Sequence, residues 1–206
     1  AYEIYMGDWS QTCALPISVS REGIVYAWDS LGAPADLHFV RTNGGKPRRL
    51  TAVNDELLAQ RELTDFEQFS FAGAGGETVY GYVVKPRGFD ASRKFPLAFF
   101  VHGGPQSSFQ NMWNYRWNAQ TFTGHGYAFV TVDFHGSPGY GQAFTDSIRG
   151  DWGGKPVEDL RKGLAAALEK YPWIDDKRAC ALGASYGGFM MNWIAGHLYG
   201  DRKSVV

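Results

Sequence analysis

The six residues Gly183-Ala184-Ser185-Tyr186-Gly187-Gly188 carry the strongest chemical signal in the chain. A serine flanked by glycine two positions before and two after is the pattern of a nucleophile elbow. That is a sharp strand-to-helix turn which lifts a hydroxyl clear of the backbone. Bulk at Gly183 or Gly187 would collide where strand and helix pass closest. The flanks agree. Ala179-Cys180-Ala181-Leu182 is a short apolar run fit for a buried strand, and Phe189–Ile194 can open a buried helix. Ser185 is thus the candidate nucleophile for acyl transfer through a covalent intermediate.

A second motif lies upstream. His102-Gly103-Gly104-Pro105 follows Phe95–Val101, an apolar run that reads as a central strand buried on both faces. Glycine at such a strand end lets backbone N–H groups turn toward a developing negative charge without obstruction. The candidate oxyanion-hole donors are the N–H of Gly104 and the N–H of Tyr186, the residue after the nucleophile. A strand-end His-Gly-Gly followed by an elbow is similar to the arrangement in esterases and peptidases of the α/β-hydrolase fold.

The elements needed to hold these residues can be read from patterning. Ile24–Trp28 and Leu37–Val40 are short strands rich in β-formers, and Asn43-Gly44-Gly45 marks a turn before Arg48–Leu50. Asn54–Arg61 is a short connector with helical character. Phe66–Phe71 and Thr78–Val84 alternate around Gly73–Gly76 as a hairpin, the usual antiparallel start of a hydrolase sheet. Strands follow at Leu97–Val101, Tyr127–Asp133 and Ala179–Leu182, with a helix over Trp117–Thr123. Pro156–Lys170 is a marked helix: Pro156 suits its first turn, Glu158 and Asp159 favour its positive end, and Val157, Leu160, Leu164 and Leu168 share one face. Strands alternating with helices predict a largely parallel sheet covered on both sides. Gly136–Gly141 lacks the lysine and spacing of a phosphate-binding loop and reads as a turn lining the active-site face.

From about Asn54 to His197 the chain resembles the prolyl oligopeptidase family of serine peptidases, nearest to its dipeptidyl peptidase and acylaminoacyl peptidase branch. The residues that carry this are His102–Pro105, Tyr115-Arg-Trp-Asn118, Gly136–Gly141, Asp151-Trp-Gly-Gly154, Glu158-Asp159 and Gly183–Gly188. The resemblance implies an α/β chain, an incomplete α/β-hydrolase domain preceded by the last blade of a β-propeller. Residues 19–63 would be the propeller end and connector, and residues 64–200 the N-terminal part of the catalytic domain. The family usually has arginine where this chain has His135, which puts in doubt any ion pair the arginine would make and leaves the nucleophile untouched.

Composition limits the other classes. The 206 residues suit one or two domains, and 44% hydrophobic with 20% charged content marks an ordinary globular chain. A formal net charge of −1 gives no electrostatic case for nucleic acid or a membrane surface. No apolar run approaches the ~20 residues of a membrane helix. Two cysteines offer no disulfide framework, Cys180 reads as a small buried hydrophobe, and no cysteine–histidine cluster has metal-ligand spacing, so neither metal nor cofactor is expected. No signal peptide opens the chain, and its compartment stays open between the cytoplasm and a periplasmic or secreted location. The expected partners are peptide substrates, and self-association of the full-length protein is compatible with this reading.

Both ends look foreign. Asp201–Val206 resembles a translated sequencing adapter, and Ala14–Ser18 with Glu3–Tyr5 upstream resembles the opposite one, so residues 1–18 and 201–206 are expected to be non-native. A truncated sheet would leave Phe189, Met190, Trp193 and Ile194 less buried than their pattern demands.

Serine chemistry of this kind needs a base and an acid, which in this fold follow the nucleophile in the order acid, then histidine. After Ser185 the chain offers His197, expected on the elbow helix and pointing away, and Asp201 in the suspected adapter. His38, His102, His125 and His135 precede the serine. The acid and base are therefore expected outside this sequence, and the chain by itself close to inactive, since losing the histidine of such a triad costs roughly 10⁶ in turnover. The implied activity of the full product is release of dipeptides or acylated amino acids from peptide N-termini. A carboxylesterase with the same elbow, and a pseudo-hydrolase whose serine is idle and whose propeller binds peptides, stand beside it.

Overall fold

The computed structural model describes residues 13–197, with side chains from residue 18 onward. Residues 1–12 and 201–206 of the expected foreign segments lie outside the described residues. Residues 13–18 run within strand β1 (Cys13–Val19), which pairs with its neighbour. The chain divides into two compact units.

The first unit takes in the described residues up to 63 together with 110–120. It is built on a four-stranded sheet in the order β1, β2 (Gly23–Ser30), β3 (Ala33–Arg41), β4 (Arg48–Arg49), antiparallel throughout. Ile24 and Tyr26 are buried at the two-residue period of a strand with one covered face. A short helix, α1 (Asp55–Leu58), follows. Asp36 knits these pieces: its carboxylate accepts the Thr51 hydroxyl at 2.6 Å, the Val53 N–H at 3.2 Å and the Arg49 guanidinium, which also reaches Asp55. Burial pushes the Asp36 carboxyl up, and these hydrogen bonds outweigh it, leaving it below the usual carboxylate range. Residues 110–120 join the unit at the β2–β3 turn. There Asn111 accepts the Leu31 N–H at 2.9 Å, and the Gln120 amide donates to the Leu31 carbonyl at 3.1 Å.

The second unit comprises residues 64–109 and 121 onward. Its strands are β5 (Phe66–Ala72), β6 (Thr78–Val84), β7 (Phe95–Val101), β8 (Ala128–Asp133) and β9 (Ile174–Gly183), in the order β5-β6-β8-β7-β9. The hairpin that starts the sheet is antiparallel, as expected, but the expectation of a largely parallel sheet needs correction. Only β8–β7 and β7–β9 are parallel, because the β5–β6 hairpin adds to β8 antiparallel. β8 lies in the middle and all six of its residues are buried, as a strand covered on both faces requires. Fully buried side chains such as Phe129 and Leu97 each contribute roughly 1.5–3 kcal/mol.

Helices α2 (Ala119–Gly124), α3 (Gln142–Asp146), α4 (Lys155–Lys170) and α5 (Tyr186–His197) fill the connections. α3 has no counterpart in the sequence reading; five residues are too few to show a period. α4 matches its pattern, with Leu160 buried and Val157, Leu164 and Leu168 packed against the core. Asp159 differs from a solvated helix-end charge: it is wholly buried, while Glu158 stays outside with Lys162. On α5, Met190 is fully buried, contrary to expectation, while Phe189, Trp193 and Ile194 are partly buried against the same core. Among the described residues no helix is long and apolar enough to cross a membrane.

Candidate active site

The elbow is built by the end of β9 and the start of α5. Gly183 closes the strand, and Tyr186 opens the helix. Between them Ser185 is exposed and adopts a φ of 58°, a left-handed conformation that costs a non-glycine residue roughly 1–2 kcal/mol. Such strain persists only where the surroundings enforce it. Here the Gly187 N–H bonds the Ala184 carbonyl and the Phe189 N–H bonds the Ser185 carbonyl, both at 3.0 Å. The glycines have a physical cause that sequence alone gave only in part. A Cβ on Gly187 would lie 2.2 Å from the Val101 carbonyl oxygen, and one on Gly183 would lie 2.6 Å from the same atom. The crowding comes from the end of the neighbouring strand β7 as well as from the strand–helix turn.

β7 delivers the second motif to the serine. A Cβ on Gly103 would sit 3.3 Å from the Ser185 Cβ and 3.9 Å from its Oγ, so the strand-end loop runs directly beside Ser185. Gly104 has a φ of 126°, and a Cβ there would meet the Gln106 nitrogen at 2.6 Å; only glycine fits. Among the described residues neither the Gly104 N–H nor the Tyr186 N–H donates a hydrogen bond.

His102 sets the orientation of this loop. Its Nδ1 is 2.8 Å from the Gly103 carbonyl, and its Nε2 is 3.1 Å from the Ser137 hydroxyl. A carbonyl only accepts, so Nδ1 carries the proton and Nε2 accepts from Ser137. The ring is neutral. Burial pushes its pKa down, and the Asp133 carboxylate, 4.0 Å from Nε2, opposes that without cancelling it. The Gly103–Gly104 peptide is trans, so holding its carbonyl toward the ring turns the Gly104 N–H away from it.

Two acidic residues that the motif reading did not place at the site support it. Asp133, at the end of β8, is buried and accepts the Ser108 and Tyr140 hydroxyls, each at 2.7 Å, and the Phe109 N–H at 3.2 Å. The only sequence signal was a carboxylate closing an otherwise apolar strand. Asp159 accepts the Ala74 N–H, the His135 N–H, each at 2.7 Å, and the His135 ring at 2.6 Å. His135, in the place of the family's arginine, therefore does have acidic partners: Asp159 on one ring nitrogen and Glu77, at 3.3 Å, on the other.

The remaining candidates are occupied elsewhere. His197 lies at the exposed end of α5 with Nδ1 on the Trp193 carbonyl, as expected for a helix-end histidine. His125 is exposed, and His38 bonds the Asp36 carbonyl. Cys180 is half-buried with its thiol on the Leu97 carbonyl, and burial pushes that thiol up, away from reactivity. The Tyr186 phenol donates to the Trp152 carbonyl at 2.7 Å, and burial raises its pKa too.

The sequence model of the prolyl oligopeptidase family matches residues 113–201, a stretch that contains the elbow. The chain belongs to the prolyl oligopeptidase family. It is 42% identical over 154 residues to a dipeptidyl-peptidase 5 of Schizosaccharomyces pombe, covering 73% of this chain and 22% of that protein. Against a dipeptidyl-peptidase 5 of Trichophyton equinum the identity is 39% over 185 residues, 89% of this chain and 25% of the relative. Among solved structures, an acylaminoacyl peptidase of Pyrococcus horikoshii superposes with a TM-score of 0.80 at 25% identity, covering 94% of this chain and 30% of that one. The chain thus spans between a fifth and a quarter of the length of the curated family members named here.

Proposed function

We propose that the protein to which these residues belong is a serine peptidase that releases dipeptides or acylated amino acids from peptide N-termini. The observation that carries this reading is the exposed Ser185, held at a positive φ between β9 and α5, beside a glycine loop and two backbone N–H groups without partners among the described residues. In this reading the second unit is the N-terminal part of an α/β-hydrolase domain, and the four-stranded sheet is the last blade of a β-propeller. The names of the relatives support the reaction class.

The chemistry follows from the elbow. The Ser185 Oγ attacks the scissile carbonyl carbon and gives its proton to a base. The carbonyl oxygen becomes an oxyanion that accepts from the Gly104 and Tyr186 N–H groups. The C–N bond then breaks, the amine leaves with the proton from the base, and water releases the acyl group by the same steps. Each oxyanion donor of this kind is worth roughly 10²–10³ in turnover. His102, His135 and His197 are each engaged with other partners, so none of them is assigned as the base.

The test is fluorophosphonate labelling of the full-length protein, with dipeptidyl and acyl-aminoacyl chromogenic substrates alongside. Ser185 is expected to take the label and Ser185→Ala to abolish both labelling and turnover. Labelling that survives Ser185→Ala overturns the reading, and the two substrates decide between the two cleavage registers.

A further inference from the structure

The loop beside Ser185 is held at both ends by the segment that leaves β8. At its front, Ser137 bonds the His102 ring. At its back, Asp133 takes the Ser108 hydroxyl and the Phe109 N–H. The same carboxylate takes the Tyr140 hydroxyl from the 136–141 loop, whose ring stacks on Tyr80 of β6 with centroids 5.5 Å apart. Asp133 is 1% exposed and has no lysine or arginine partner among the described residues. A buried carboxylate without a cation is stable only through such donors, each charge-assisted and worth more than a neutral hydrogen bond. It thereby adds, at the end of β8, a second tie between the oxyanion loop and the 136–141 loop beside the Ser137–His102 bond.

We propose that Asp133 is a positioning residue for the reaction: by anchoring Ser108, Phe109 and Tyr140 it fixes the return of the 102–109 loop, and so the place of the Gly104 N–H against the oxyanion. The proposal rests on the peptidase reading given above. It predicts that Asp133 acts on turnover and not on substrate binding. A donor displaced by about 1 Å costs roughly 10² in rate, while ground-state contacts made elsewhere are unchanged.

The experiment uses the full-length protein and three variants. Asp133→Ala is expected to lower kcat roughly 10²-fold with KM little changed, and to speed amide hydrogen exchange across residues 102–109. Asp133→Asn keeps an oxygen for the Phe109 N–H and an amide that can donate to the two hydroxyls, so it should recover most of the loss; a residue that mattered only for its charge would not be rescued. If Asp133→Ala does not fold, the double variant Ser108→Ala with Tyr140→Phe removes two of the anchored donors and should show the same kcat loss and faster exchange. Unchanged kcat and unchanged exchange in the folded variants overturn the proposal, as does a KM effect without a kcat effect. A wild-type protein whose Ser185 takes no fluorophosphonate defeats the peptidase reading instead, while the exchange measurement still decides whether Asp133 holds the loop.

Discussion

The His135 ring and the Asp159 carboxylate, 2.6 Å apart and both wholly buried, join the end of β8 to α4. The other Asp159 oxygen reaches across to the Ala74 N–H in the turn between β5 and β6. Three elements thus share one carboxylate. Removing it in Asp159→Ala leaves two buried N–H groups and a ring nitrogen without their acceptor. Breaking a buried pair of this kind costs roughly 3–5 kcal/mol. Urea unfolding of the full-length protein should show a loss of that size, and a loss under about 1 kcal/mol would mean that the pair contributes little.

The elbow should tolerate no side chain at Gly187. A methyl group there meets the Val101 carbonyl at 2.2 Å, so the turn must move. Gly187→Ala is expected to cost about 1–3 kcal/mol through overpacking. A shift of the nucleophile by about 1 Å should also slow fluorophosphonate labelling roughly 10²-fold. Labelling at the wild-type rate would show that the elbow relaxes without moving Ser185.

Ser185 itself is predicted to be held against its preference. At a φ of 58° glycine is at ease and alanine is not. Ser185→Gly should therefore be more stable than Ser185→Ala by about 1 kcal/mol, both being inactive. Thermal melts of the two variants side by side check this, and equal melting temperatures would show that the turn is not strained at this residue.

The elbow and the strand-end glycines were legible because their chemistry restricts residue type at fixed spacing, and the α4 helix because sixteen residues are enough to show a period. The supporting carboxylates were not. Asp133 and Asp159 look in sequence like a strand-end and a helix-end charge, and only the fold brings Ser108, Tyr140, His135 and Ala74 to them from up to 85 residues away. The antiparallel start of the sheet was legible in the Phe66–Val84 hairpin, but its antiparallel docking on β8 was not, for a related reason: a strand's pattern records which faces are covered, not which way its neighbour runs.

Acid should destabilise the site through His102. Its pKa in the folded protein is lowered, so the unfolded chain takes up a proton first as pH falls through about 6.5, the ordinary histidine value. Between that value and the lowered one the unfolded state holds more protons, and stability rises with pH by at most about 1.4 kcal/mol per unit for this group. Above pH 7 the effect is absent, since both states are neutral. His102→Asn keeps a donor for the Gly103 carbonyl and does not titrate. Its melting temperature should fall less than that of the wild type between pH 7.5 and 5.5, values on the order of one unit either side of that ordinary histidine value; identical slopes would assign the acid sensitivity to other groups.

The ladder between β7 and β9 pairs Leu97 with Ala179 through to Val101 with Gly183 without a break, whereas Pro96 pairs with Asp175, leaving residues 176–178 as slack below it. Length is therefore expendable at the bulge and rigidly metered beyond it. A residue gained or lost among 176–178 can be absorbed in this bulge, before the unbroken run from Leu97–Ala179 begins. One inserted between Ala179 and Gly183 would carry Ser185 past the His102–Pro105 loop by a full step of about 3.3 Å, further than any side-chain adjustment could recover. This strand can take up a change of length only at its bulge, and none between Ala179 and the serine.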